Sequence, residues 1–166
     1  MLAQIIHRMV TDEEDRKDLA QEIYLKAFRK MAEFKYESKL TTWICQIGYN
    51  TCIDFLRKKK IRPLFQHELA AHGDEESGHR GEIFVADQSA DKAAAKKELS
   101  LILKQEIGKL SPVYQTLVTL FHTEELSYEE IGQITGLPQG TIKSYLSRAR
   151  KLLRESLSMN YSKQDL

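Results

Sequence analysis

Trp43, Gln46, Asn50, Asp54 and Arg57 lie three or four residues apart, so a single helix would carry them on one line. An aromatic ring, two amides and a guanidinium in a row suit single-stranded nucleic acid, because bases stack on the ring and hydrogen-bond to the amides. Spacing alone favours the plainer assignment of Trp43 to a core. A second constellation sits near the C-terminus. Gln139, Lys143, Ser144, Ser147, Arg148 and Lys151 share one helical face, in a stretch from 139 to 154 that contains no acid. Lys and Arg contact phosphate or guanine, and Gln and Ser contact base edges or phosphate. The sequence has no Gly-rich phosphate loop, metal-ligand cluster or nucleophile constellation, so no catalytic residue, metal or cofactor is expected. Cys45 and Cys52, seven apart and without further ligands at suitable spacing, read as reduced packing residues.

The elements that must position these residues are helical. Thr11-Asp12-Glu13-Glu14 fits a capping box with Thr11 at the N-cap, opening a helix to about Met31. Leu19, Ala20, Ile23, Tyr24, Ala27, Phe28 and Met31 form its expected buried stripe, and Asp18, Gln21, Glu22, Leu25 and Arg29 its outer face. A loop, Phe34 to Ser38, leads to a helix over roughly 40–60 whose expected inner stripe is Leu40, Ile44, Ile47, Thr51 and Phe55. Residues 61–97 lack periodicity and read as a linker, with a possible short helix over Pro63–Ala71. Helical patterning resumes near Ala93 and breaks at Gly108. Ser111-Pro112 restarts it, with Val113, Leu117, Leu120 and Phe121 facing inward. Ser127-Tyr128-Glu129-Glu130 is a second capping box, and Pro138 opens a last helix to about Leu157.

Residues 127–147 meet the steric demands of a helix-turn-helix. Gly132 supplies the small residue at the helix crossing, Gly136 the left-handed turn position, and Ile142 the branched anchor. Ile131, Leu137, Tyr145 and Leu146 can complete a small core. An ordinary helical hairpin with a basic face is the alternative. The coincidence of three steric positions with an acid-free second helix favours DNA binding.

Composition agrees with a foldable helical protein. The 166 residues are 42% hydrophobic and 30% charged, with three Pro and eight Gly. Net charge is only +1, but it is unevenly spread. Residues 1–64 carry net +4, residues 65–99 net −4, and residues 100–166 net +1. One basic run, Arg57-Lys58-Lys59-Lys60-Ile61-Arg62, closes the first segment. Two basic patches joined by an acidic segment point to two contacts with one polyanion, although either run alone also reads as a solvated helix end. No stretch approaches the ~20 apolar residues of a membrane helix. The N-terminus lacks signal-peptide features, and two cysteines are too few for a disulfide framework. Cytoplasmic location without membrane insertion is therefore expected.

Both halves resemble one family. Asp18-Leu19-Ala20-Gln21-Glu22-Ile23-Tyr24, Lys39 to Ile44, Ile47-Gly48-Tyr49-Asn50 and Phe55-Leu56-Arg57-Lys58 resemble the second conserved domain of bacterial sigma factors. Leu110-Ser111-Pro112, Leu126 to Ile131 and Gly140 to Arg150 resemble their fourth. Two domains on a short linker are the layout of the extracytoplasmic-function (ECF) group. The resemblance implies an all-α fold: domain 2 over 1–62, a flexible acidic linker over 63–97, and a helix-turn-helix domain 4 over 98–160. It implies a dissociable promoter-specificity subunit of bacterial core RNA polymerase, contributing no catalytic residue. Asp18, Gln21, Glu22, Leu25 and Arg29 would dock on polymerase. Phe34, Lys35, Tyr36, Ser38, Trp43, Gln46, Asn50, Asp54, Arg57 and Lys58 would hold the melted −10 element of promoter DNA. Gln139, Thr141, Lys143, Ser144, Ser147, Arg148, Arg150 and Lys151 would meet the −35 element, Arg150 by phosphate contact or packing. An anti-sigma factor would be the regulatory partner. Gln46 and Tyr145 stand where relatives often have basic residues, and relatives usually carry a further helical segment ahead of the position of Met1. The competing readings are a free-standing helix-turn-helix regulator, and a truncated sigma that only sequesters a partner.

Overall fold

A computed structural model of the protein describes residues 1–59 and 90–161, with side chains from 97 onward in the second stretch. The helix expected over Pro63–Ala71 and most of the acidic linker lie outside the described residues. The described elements are α1 (Leu2–Met9), α2 (Glu13–Arg29), a 3-10 turn (Met31–Glu33), α3 (Leu40–Lys58), α4 (Ala90–Gly108), α5 (Pro112–His122), α6 (Tyr128–Thr135) and α7 (Gln139–Asn160). No strand occurs among them, and the chain is all-α as expected.

The first lobe is α1 to α3. α1 is amphipathic and buries Ile5, Ile6 and Met9. The N-cap of α2 is Asp12, not Thr11: its carboxylate accepts the Asp15 N–H at 3.0 Å. The first turn after this cap holds three acids, Glu13, Glu14 and Asp15, where the helix dipole favours them. α2 buries a narrower stripe than expected, namely Leu19, Ile23 and Ala27. Tyr24, Phe28 and Met31 are exposed, at 62%, 79% and 45%. They lie one position round from the seam, where α1 and α3 do not reach. α3 is likewise rotated from expectation. Cys45, Tyr49, Cys52, Ile53 and Leu56 are buried, Ile44, Ile47 and Phe55 only half so, and Leu40 is exposed. The reason is that α3 is walled on several sides, by α1, α2 and α6. A Cβ on Gly48 would meet Leu2 Cδ1 of α1, which shows how closely α1 crosses α3. Lys26 Nζ reaches the Thr51 hydroxyl at 3.3 Å and ties α2 to α3.

The second lobe is α4 to α7. Gln115 of α5 donates to the Leu110 and Gly108 carbonyls at 2.8 and 3.0 Å, satisfying acceptors left open at the end of α4. Glu106 is buried although no sequence signal marked it. Lys109, Ser156 and Tyr161 surround its carboxylate and bind the end of α7 to α4. Of the expected helix-turn-helix core, Ile131, Ile142, Tyr145 and Leu146 are buried while Leu137 is only half so, and Ile134, which was not expected, is fully buried; each fully buried aliphatic is worth roughly 1.5–3 kcal/mol of transfer free energy. A Cβ on Gly132 would lie 3.3 Å from the Leu137 carbonyl, a tighter approach than most Cβ atoms make, so the crossing favours glycine's size. Gly136 sits at φ +72 and its N–H returns to the Gly132 carbonyl at 2.8 Å.

Gly136 and Gly140 predict opposite outcomes along one motif. Gly136→Ala should destabilise the chain by about 1–2 kcal/mol, the cost of a left-handed non-glycine residue. Gly140→Ala, whose Cβ meets open space in α7, should be neutral or stabilising by up to ~1 kcal/mol. Urea denaturation of both variants measures the contrast.

Candidate nucleic-acid interface

The loop between the 3-10 turn and α3 is built around aromatic contacts. The Phe34 ring lies 4.8 Å from Tyr36 and 5.2 Å from Trp43, both tilted. Tyr36 adopts φ +60, a conformation a bulky residue holds only under constraint, and its ring is almost fully exposed. Phe34, Lys35, Ser38, Trp43 and Gln46 line a cleft of about 370 Å³, to which Gln133 of α6 also contributes. Trp43 is half-buried, packed on Phe34 and open to the cleft, so it serves packing and surface together. Gln46, Asn50, Asp54, Arg57 and Lys58 are exposed along the same line of α3. Asp54 and Arg57 pair with each other at 3.5 Å. Of the basic run, Lys59 is engaged within the molecule, by Asp15 and over the Phe55 ring at 4.9 Å.

α7 offers the second face. Gln139, Lys143, Ser144, Ser147 and Lys151 are exposed, while Thr141, Arg148 and Arg150 are half-buried. Phe121 stacks on Tyr128 at 5.1 Å, and Lys143 and Arg150 lie over these two rings, at 5.4 and 6.0 Å. Arg150 therefore packs against α5, one of the two roles expected of it. Tyr145 is core, 5.5 Å edge-on to Tyr114.

On α2, Asp18, Gln21, Glu22, Leu25 and Arg29 are all exposed, with Glu22 paired to Lys26 at 2.6 Å. Tyr24 and Phe28, which sequence periodicity assigned to the core, extend this face with large apolar area. Their exposure has no signal in a helical pattern, since periodicity counts apolar residues without knowing what will cover them. Also invisible in sequence are the contacts between the lobes. Lys39 Nζ pairs with Glu130 Oε1 at 3.0 Å, and the Met1 amine with Glu124 Oε1 at 3.0 Å. Glu130 closes the α6 capping box, accepting the Ser127 N–H at 3.0 Å while Ser127 Oγ accepts the Glu130 N–H at 3.2 Å. Ser127's backbone N–H, then Lys39, holds the Glu130 carboxyl below the usual carboxylate range.

Among the described residues, no group of His, Cys, Asp and Glu could hold a metal, and no helix is long and apolar enough to cross a membrane.

A cleft of aromatic and amide groups and a basic helix-turn-helix in one chain define a promoter-reading protein, and comparison with known families and structures agrees. Residues 1–61 match the Sigma-70 region 2 family and residues 100–153 the Sigma-70, region 4 family. The chain is 34% identical to the ECF RNA polymerase sigma factor SigW of Bacillus subtilis, over 93% of this chain and 81% of that protein. It is 30% identical to the RNA polymerase sigma-H factor of Pseudomonas aeruginosa, over 92% and 78%. Its fold is similar to the sigma factor RpoE in complex with the anti-sigma factor NepR from Bartonella quintana, with TM-score 0.59, 25% identity, and 96% and 91% of the two chains covered. The chain belongs to the ECF RNA polymerase sigma factors of the sigma-70 family.

Two outcomes follow from the electrostatics. Burial pushes the Cys45 thiol up to about 11 and the Cys52 thiol up to about 12, so neither should react with a disulfide reagent at pH 8 until denaturant exposes them. The Glu130 carboxyl is more acidic folded than unfolded, so its contribution to stability is complete above its unfolded value of about 4.5 and is lost as pH falls through the folded value. Glu130→Gln should accordingly flatten the fall in Tm expected of the native chain between about pH 5 and about pH 3.

Proposed function

We propose that this sigma factor divides its promoter work between the two faces just described. The first lobe, 1–62, holds the melted −10 element, with unstacked bases against Phe34, Tyr36 and Trp43 and hydrogen-bonded by Gln46 and Asn50. Arg57 and Lys58 meet nearby phosphate, and Lys35, Ser38 and Asp54 border the strand. Capture of extruded bases offsets an unstacking cost of a few kcal/mol per base and so favours the open strand. The second lobe, 98–160, lays α7 in the major groove at the −35 element, with Gln139, Thr141, Lys143, Ser144, Ser147, Arg148 and Lys151 as readers or phosphate contacts and Arg150 supporting the helix. Asp18, Gln21, Glu22, Leu25 and Arg29 dock on core polymerase, which supplies all the chemistry. The chain acts in the cytoplasm, where polymerase and chromosome are, and an anti-sigma protein is its regulatory partner, as NepR is for the Bartonella relative.

The observation that carries this reading is the pairing of a stacking cleft for single strands with a duplex-reading helix in one chain. A free-standing operator-binding regulator has use for only the second. Run-off transcription with bacterial core polymerase, the purified chain and a genomic promoter library should yield start sites sharing −35 and −10 elements. Core co-elution without transcripts would instead mark a sequestering protein, and specific operator binding without core a free-standing regulator. At a mapped promoter, Arg148→Ala should weaken −35 binding by ~1–3 kcal/mol if it pairs with a guanine. Asn50→Ala should leave that binding intact and impair opening. Equal weakening of closed-duplex binding by both would refute the division.

A further inference from the structure

A buried carboxylate sits where local preferences oppose it. Glu106 lies in the last turn of α4, where the helix dipole disfavours an anion, and its side chain is only 1% exposed. Sequences keep such local conflicts where something else is gained. The carboxyl is nonetheless more acidic than usual, because Lys109 and then Ser156 donate to it. Its contacts name the gain. Oε1 accepts from Lys109 Nζ and, at 3.4 Å, from the Tyr161 hydroxyl, while Oε2 accepts from Ser156 Oγ. Asn160 Nδ2 extends the cluster by donating to Ser156 Oγ at 3.3 Å. Lys109 is local to the end of α4. Ser156 and Asn160 belong to the far end of α7, and Tyr161 follows it directly.

That end of α7 has little else to hold it. The completely buried residues of α7 are Ile142, Tyr145, Leu146 and Ala149, a span of roughly 10 Å at ~1.5 Å per residue. Leu153 and Leu157 are half-buried, and apolar contact is non-directional, so it lets a helix roll and slide. Hydrogen bonds to a fixed carboxylate are directional. Glu106 carries the support of α7 out to Ser156, which extends the braced length from Ile142 to roughly 21 Å. α4 in turn meets the other helices chiefly at α7. The residues assigned to the −35 element, 139–151, ride on this same helix. A binding constellation works only within about 10–20° of its productive geometry, and a rod braced over the greater length tilts less.

We propose that Glu106 is a positioning residue for −35 recognition: it clasps Ser156 and Tyr161 and so sets the tilt of α7 on α4. Glu106 touches no DNA in this role. The proposal rests on the −35 reading assigned to α7 above.

Three variants of the full chain separate positioning from plain stability. Glu106→Leu fills similar space without polar contacts and removes the acid from the helix end, so the urea midpoint should hold or rise. Ser156→Ala breaks the α7 side of the clasp and improves helix propensity. Glu106→Gln keeps the clasp, since the Ser156 hydroxyl can accept from the amide. Without core polymerase, hydrogen exchange over 152–160 should be about three- to tenfold faster in Glu106→Leu and Ser156→Ala, the worth of one net hydrogen bond, and native-like in Glu106→Gln. Binding is read with core polymerase on a fluorescent promoter duplex mapped by run-off, and on the same duplex with its −35 element scrambled. Glu106→Leu and Ser156→Ala should bind the intact duplex about three- to tenfold more weakly than the native chain, and Glu106→Gln within about twofold of it. All should bind the scrambled duplex alike. Combining Glu106→Leu with Ser156→Ala should cost no more than the worse single change, because both break one clasp. Native-like exchange in both single variants would overturn the clasp. Faster exchange with unchanged binding to the intact duplex, or equal loss on both duplexes, would overturn the positioning role. A native chain that binds both duplexes alike would overturn the −35 reading and this role with it, leaving exchange to decide the clasp alone.

Discussion

Helix α3 is the element on which the rest of the structure depends, because one helix must satisfy two incompatible solvents. Its inner positions, Cys45, Tyr49, Cys52, Ile53 and Leu56, are buried and hold the first lobe together. Its outer line, Gln46, Asn50, Asp54 and Arg57, stays in water. A helix can serve both because side chains three and four apart share a face, so a rotation of one position moves a residue from core to surface. Trp43 stands at the border, supported by Phe34 on one side and open on the other. On the proposed reading, that placement presents a stacking surface already packed before any base arrives. Preorganisation would matter to such a role, because the energy available from stacking one base is only ~1–3 kcal/mol and would be consumed by ordering a loose loop.

The second lobe obeys a different constraint. Its recognition helix must project from a core small enough to leave α7 largely exposed. Gly132 and Gly136 allow α6 and α7 to cross at close range, and four aliphatic side chains fill the space between. The exposed face is then free of structural duty. Phe121 and Tyr128 form the exception, a stacked platform beneath Lys143 and Arg150. It orients two cations that would otherwise sweep a wide volume.

Much of this was legible in the sequence, and the reasons differ by element. The helix-turn-helix was readable because its steric demands fall on single positions: a small residue at 132, a left-handed one at 136 and a branched one at 142 each have few substitutes. The capping box at Ser127 was readable for the same reason. The face of α2 was misjudged at Tyr24, Phe28 and Met31, because an apolar period shows what could be buried and not what lies opposite. The inner stripe of α3 was offset because three neighbours cover it rather than one, so no single period describes its burial. Buried Glu106 went unnoticed because its partners, Ser156 and Tyr161, lie some fifty residues on. The lobe contact was invisible for a like reason: Lys39 and Glu130 are 91 residues apart, and complementary charges at such distance carry no local signature.

The central claim is that one chain brings together a duplex reader and a trap for unstacked bases, and the direct test is strand opening itself. A promoter with 2-aminopurine in the non-template strand of its −10 element reports unstacking as a rise in fluorescence. Core polymerase with this chain should produce that rise, core alone should not, and Trp43→Ala should reduce it while −35 duplex binding is retained. A stable polymerase–promoter complex that forms with the native chain and leaves the fluorescence unchanged would contradict the account.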